Sequence, residues 1–315
     1  MSFGASDSSS SCCKCKSGYT GNGENCFLQD ESIIVRGRIS AKINDITLDE
    51  QETHAYVHTL SYDARNYVAL GRVGADIGNK ITLLLPFTTP IHWLFAGDLA
   101  NSSMNGFRLT GGTFSRQSES TLFDESGNKV GDIYISQNFT GLQQQGKELH
   151  MEADIVAKLP DLGAHEQVIY PDFAQLFELK DDEGELATRK AVHSSGSIKL
   201  KVTSIREPSV HKSYRLDYVD RIYFGVCPGL LADEMTRITP NVRVSTKRMF
   251  VTFTPSDGQA RFSSANYIKP SDNQPDACEA NTCSIYAECV ADAESANGYY
   301  CQCKPGFDGD GFECK

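Results

Sequence analysis

The chain contains no apolar run that reaches the roughly 18 uncharged residues of a membrane-spanning helix. It is short of positive charge: 30 Lys and Arg against 41 Asp and Glu leave a formal net charge of −11. A nucleic-acid partner needs clustered Lys and Arg to meet its phosphates, so that class is excluded as the main one. There is one tryptophan, Trp93, and the middle is almost without cysteine, only Cys227 standing between Cys26 and Cys278. Enzyme signatures are missing too, with no G-x-S-x-G elbow, H-E-x-x-H pair or phosphate-binding loop. The opening MSFGASDSSSS lacks the basic start and apolar middle of a signal peptide and reads as a fragment end.

What is present is enough to fold. Of 315 residues, 40% are hydrophobic and 23% charged, an ordinary balance for a chain with a large core. Ten of the eleven cysteines crowd the ends: Cys12, Cys13, Cys15 and Cys26, then Cys278, Cys283, Cys289, Cys301, Cys303 and Cys314. Small secreted modules concentrate cysteine in this way, because they are too small to build a sufficient core. Zinc is the rival reading. Its weakness is the C-x-C spacing at Cys13/Cys15 and Cys301/Cys303, with no histidine in either cluster. The compartment is expected to be oxidising and extracellular.

The tail from Asp276 ends in YYCQCKPGFDGDGFEC and resembles an EGF-like module: C-x-C, an aromatic-glycine turn, a last cysteine. The resemblance implies the family pairing Cys278–Cys289, Cys283–Cys301 and Cys303–Cys314. The acidic motif of the calcium-binding subtype is absent from SDNQPDA, so neither calcium nor any other metal or cofactor is expected. The N-terminal CCKCKSGYTGNGENC parallels the same pattern and looks like the end of a second such module. Cys15–Cys26 would be its closing bridge, Cys13 would lack its partner, and Cys12 is left to pair with Cys227. The expected organisation is a partial EGF-like module over 1–27, a barrel over 28–272 and a complete EGF-like module over 273–315.

The middle reads as β throughout. Short alternating runs such as IIVRGRISAKI, HAYVHTL, NYVALGRV, GFRLTGGTF, GDIYISQNF, ELHMEADIVAKL, GSIKLKVTSI and ARFSSANYI are separated by turn signals such as YDARN, ESGN and PSDGQ. About eleven strands fit one large barrel or sandwich. The segment ITLLLPFTTPIHWLFAG, residues 81 to 97, does not alternate. It is expected inside the fold, helical from Ile91 to Ala96 after Pro90. A buried pair of edge strands is the alternative.

The run NGFRLTGG-x-F-x-RQ-x-E-x-x-F, with GRI at Gly37, HAYV at His54, RNYVA at Arg65 and RFSSAN at Arg261, resembles the β-barrel domain of the nidogen (entactin) family. The hemicentins share that barrel type and are the alternative, with a different matrix partner; the leading CC-x-C module favours nidogen. The resemblance implies a mainly β fold: an eleven-stranded green-fluorescent-protein-like β-barrel with a buried central helix, flanked by small disulfide-rich EGF-like modules. It implies a secreted, non-enzymatic scaffold protein of the basement membrane. Its barrel wall would bind perlecan, through an immunoglobulin-like module, and type IV collagen. Laminin would be met only by other parts of a full-length protein.

On the family's pattern the perlecan wall falls on Glu52, His54, Tyr56 and Tyr67, with Asp257 and Arg261 from the last hairpin. The alternation agrees: in ETHAYVH, Glu52, His54, Tyr56 and His58 share one face, and Arg65 and Tyr67 face outward on the next strand. Histidine, tyrosine and arginine together have the composition of an interface hot spot, whereas an ordinary solvated wall is the plainer reading. Asp30 stands where the family pattern has an arginine, a charge reversal that bears on affinity.

Other features read as structural. His54 and His58 lie roughly 13 Å apart along a strand, too far to share an ion. His92, beside Trp93, reads as a core histidine, and Asp181, Asp182, Glu183 and Glu185 as a solvated hairpin tip. His92-Trp93-Leu94 lacks the glycine that a fluorescent-protein chromophore needs. Asn101-Ser-Ser and Asn138-Phe-Thr are candidate glycosylation sites.

Overall fold

A computed structural model describes residues 13–29, 31–48, 54–60, 64–98, 103–143, 148–163, 165–181, 189–207, 211–227, 239–271, 283–284, 286–291 and 299–315. Period-two sequence becomes long strands in it: β1 (Ile34–Ile43), β2 (His54–Leu60), β3 (Arg65–Gly71), β4 (Thr113–Phe123), β5 (Lys129–Gln143) and β6 (Glu148–Lys158). They continue as β7 (Phe173–Asp181), β8 (Arg189–Ser204), β9 (His211–Gly225), β10 (Val242–Thr254) and β11 (Gln259–Pro270). Hydrogen bonding runs in the order β1-β6-β5-β4-β9-β8-β7-β10-β11-β3-β2 and returns to β1, so eleven strands close a barrel. The β1–β6 seam is parallel, Ile34 facing Glu148, and the other ten junctions are antiparallel. Closure pairs each of the eleven strands on both sides among the described residues. Along β6 the apolar Leu149, Met151, Ala153, Ile155 and Ala157 face inward while His150, Glu152, Asp154 and Val156 face water.

The apolar segment lies in the barrel, as the helix α1 (Leu85–Leu94), every residue of which is buried. It starts six residues before the expected Ile91. Pro86 sits in the first turn, where a missing N–H costs nothing. Pro90 lies inside the helix and cannot bond the carbonyl of Pro86. That carbonyl instead accepts from Arg116 Nη2 at 2.8 Å and from Thr89 Oγ1 at 3.0 Å. The barrel wall thus supplies the donor that the proline removes.

GFRLT is a helical turn rather than the start of a strand: α2 (Gly106–Thr110). Asn105 caps it, its side chain accepting from the Arg108 N–H at 2.9 Å. Gly111, in the left-handed conformation at φ 62°, ends it. A side chain at Gly106 would strike the Trp93 indole, which stacks on Phe177 and meets Phe114 edge-on. The N-terminal hairpin Tyr19–Gly21/Cys26–Leu28 seats on α2: Phe27 packs edge-on against Phe107 at 4.6 Å, and Asn22 Nδ2 donates to the Thr110 carbonyl at 3.2 Å.

Two compact units result, Met1–Pro270 and Ser271–Lys315. In the second, the hairpin Ala287–Ala291/Tyr299–Cys303 is held by the disulfides Cys283–Cys301 and Cys303–Cys314. Its buried cluster is Ala287, Cys301 and Cys314, so covalent links stand where the barrel has a core.

Candidate functional site: the outer wall of β1, β2, β3, β11 and β10

Register decides which side chains meet on the outside of the barrel. One outward row runs Arg36 on β1, Tyr56 on β2, Ala69 on β3, Arg261 on β11 and Thr252 on β10. The row on one side is Arg38, His54 and Gly71; the row on the other is His58, Tyr67, Ser263 and Phe250. Five strands about 4.8 Å apart make a wall roughly 19 Å across. Of the expected residues, His54, Tyr56, Arg65, Tyr67 and Arg261 stand on this face. Tyr56 and Tyr67 are 39% and 42% exposed, so both rings are available to a partner. Asp257 lies in the turn between β10 and β11 and pairs with Arg261, which also donates to Thr254 Oγ1 at 2.8 Å. Glu52 and Asp30 lie outside the described residues, as do Asp182, Glu183 and Glu185 of the expected hairpin tip.

The wall is braced at its edge. Arg36 lies over the Tyr56 ring at 5.7 Å and bonds Glu148 Oε1 from Nε at 2.8 Å. His150 Nε2 is 3.2 Å from the same oxygen. Sequence reasoning missed Arg36, Arg38 and Phe250. The first two share the parity of Ser40 in RGRIS, opposite the buried Ile39 and Ala41, and were findable by alternation.

Phe250 was not. Between Lys247 and Phe250 the β10–β11 register gains a residue, a bulge at Arg248 with φ 53°. Before it the inward residues are Val242, Val244 and Thr246; after it, Met249, Val251 and Phe253 pack on the core and Phe250 points out.

Inside the barrel is a buried polar network. Arg116 Nη2 lies 2.6 Å from Asp220 Oδ1 and 2.8 Å from Thr89 Oγ1, and Nη1 donates to Gln137 Oε1. Burial pushes the guanidinium pKa down, and Asp220 works against that shift. His92 is buried with Nδ1 3.4 Å from Thr246 Oγ1, and its pKa is lowered to about 3, by burial first and by Arg116 second. It is therefore neutral near pH 7. Among the described residues no group of three or more His, Cys, Asp or Glu is arranged to hold a metal ion.

Cys15 is bonded to Cys26, Cys227 and Cys289 each belong to a separate disulfide, and Cys13 is a free, exposed thiol. Cys12, Cys278 and Asn101 lie outside the described residues. Asn138 is exposed on β5.

A helix-pierced, closed β-barrel with an aromatic outer wall, followed in the chain by a cystine-held module, defines a structural unit of the extracellular space. The G2-F domain family model matches residues 30–230 and the EGF-like domain model residues 278–311. The chain belongs to the G2-F domain family. It is 26% identical to human nidogen-1 over 317 residues, covering 96% of this chain and 24% of that protein. It is 25% identical to the nidogen of Drosophila melanogaster, covering 94% of this chain and 20% of that protein. The chain thus spans a quarter or less of the curated relatives it matches. The solved domain G2 of mouse nidogen-1 superposes with a TM-score of 0.68 at 21% identity, over 83% of this chain and 98% of that one, which shows a common fold. The chain is nidogen-like, and nidogens are secreted proteins of the basement membrane. No helix among the described residues is long and apolar enough to cross a membrane.

Proposed function

We propose that this chain is the part of a basement-membrane linker protein that binds perlecan, through an immunoglobulin-like module, and type IV collagen, by means of the barrel wall. The observation that carries the reading is the register that brings His54, Tyr56, Tyr67 and Arg261 from three adjacent strands onto one exposed face. Tyrosine, arginine and histidine on a rigid sheet bind with no backbone left to order, only side chains. No catalytic step is assigned to the wall; its action is equilibrium recognition. Asp257 adds a carboxylate beside Arg261; Glu52 belongs to the proposed binding set, and Asp30 bears on its affinity.

The proposed organisation is a partial EGF-like module (1–27), the barrel (28–272) and an EGF-like spacer (273–315), with Cys12–Cys227 and Cys278–Cys289 completing the bridges. Glycans on Asn101 and Asn138 are part of the proposal, as is laminin binding by regions of a longer protein. The test is surface plasmon resonance over immobilised perlecan immunoglobulin-like modules and type IV collagen. Wild type is run beside Tyr67→Ala and the double change His54→Ala/Arg261→Ala. Perlecan binding that collapses in both variants supports the wall as the site. Binding that persists in both moves the site elsewhere.

A further inference from the structure

The five strands of this wall differ in composition from the rest of the barrel. β1, β2, β3, β10 and β11 carry nine Lys or Arg and no Asp or Glu. The other six strands carry eleven Lys or Arg and nine Asp or Glu in all, β8 alone holding four of those cations and no acid. Among the wall's cations, Arg36, Arg38, Lys42, Lys247, Arg248 and Lys269 are exposed. A chain with a net charge of −11 therefore presents one face whose cations outnumber the carboxylates beside them, Glu148 at Arg36 and Asp257 at Arg261, so a negative partner meets attraction there.

Phe250 stands on that same face and is 54% exposed. It is cross-strand to Ser263, and Ser263 is cross-strand to Tyr67. The small Ser263 thus stands between two exposed rings on neighbouring strands. A sulfated polysaccharide would need the cations alone. The rings are what a folded protein surface uses, because burying a large apolar side chain at the centre of a contact supplies much of its energy.

We infer that the partner of this wall is a folded protein surface bearing carboxylates, and that Phe250 is the apolar anchor seated in it. This rests on the wall reading above and names the chemistry of its partner.

The experiment measures affinity for perlecan immunoglobulin-like modules at low, intermediate and high salt for wild type, Phe250→Ala, Phe250→Leu, Arg38→Glu and Tyr67→Ala. Heparin is the second probe, and thermal melting is the check of folding. Phe250→Ala is expected to weaken perlecan binding by about 30-fold or more, with Phe250→Leu recovering most of it. Arg38→Glu is expected to weaken it by about 10-fold and to flatten its salt dependence. Loss in Tyr67→Ala with Phe250→Ala within about threefold of wild type overturns the anchor and leaves the wall reading standing. Heparin binding lost in Arg38→Glu but kept in Phe250→Ala, with no perlecan binding, makes the partner a polysaccharide and overturns the inference. A folded wild type that binds neither probe ends the perlecan reading and this inference together.

Discussion

Two of the barrel's arginine–aspartate pairs sit in opposite surroundings. Arg116 and Asp220 are 0% and 2% exposed and lie between strands β4 and β9 and the helix α1. Arg261 and Asp257 are 41% and 40% exposed and lie on the outer wall. The chemistry is the same and the roles are not. Inside, each charge has lost its water and depends on its partner, so the pair fixes where α1 sits and which strands face it. Outside, water already satisfies both charges, so the pair adds little to folding and stays available to a ligand.

The largest expected effect comes from breaking the inner pair. Arg116→Ala leaves Asp220 buried without its cation and the Pro86 carbonyl without a wall donor, and should cost about 3–5 kcal/mol of stability in chemical denaturation. Arg116→Met with Asp220→Leu removes both charges together and should recover a substantial part of that loss. A double variant as unstable as the single would mean that hydrogen bonds to α1, rather than the unpaired charge, carry the cost.

Protonation of His92 is the next test. Its folded pKa of about 3 lies below the usual 6.5, so the unfolded chain binds the proton more readily. The stability gained from a neutral His92 is present above about pH 6.5 and falls as pH drops toward 3. Between pH 7 and pH 5 wild type should lose about 2 kcal/mol relative to His92→Gln. A difference that does not move with pH would contradict a neutral, dry imidazole. The smallest effect is on the wall: Arg261→Ala should change stability by no more than about 1 kcal/mol. A larger loss would make the outer pair structural and remove the contrast.

Much of the barrel is legible in the sequence because alternation is local. β6 and β1 announce their inward faces residue by residue, and turn signals separate the strands. Arg116 was legible as well, since it shares the parity of Phe114 and Leu122 in TFSRQSESTLF, as Asp220 shares that of Leu216 and Ile222 in β9. Reading GFRLT as strand hides this, because the Asn105 cap and the Gly111 stop outweigh its alternation. The early start of α1 depends on a donor in another element, Arg116 on β4, which no local pattern contains. Phe250 depends on a bulge, and the sequence around Arg248 carries no glycine to mark one. On the wall, His54, Tyr56 and Tyr67 follow from alternation alone, whereas their neighbours across β11 and β10 need the register.

The most direct test pairs affinity with stability in the same variants. Perlecan-module binding and thermal melting are measured for wild type and for His54→Ala/Arg261→Ala. If recognition belongs to the outer wall, affinity falls at least about tenfold while the melting curve stays where it was. Unchanged affinity in a folded double variant would contradict the account and return the wall to ordinary solvated sheet.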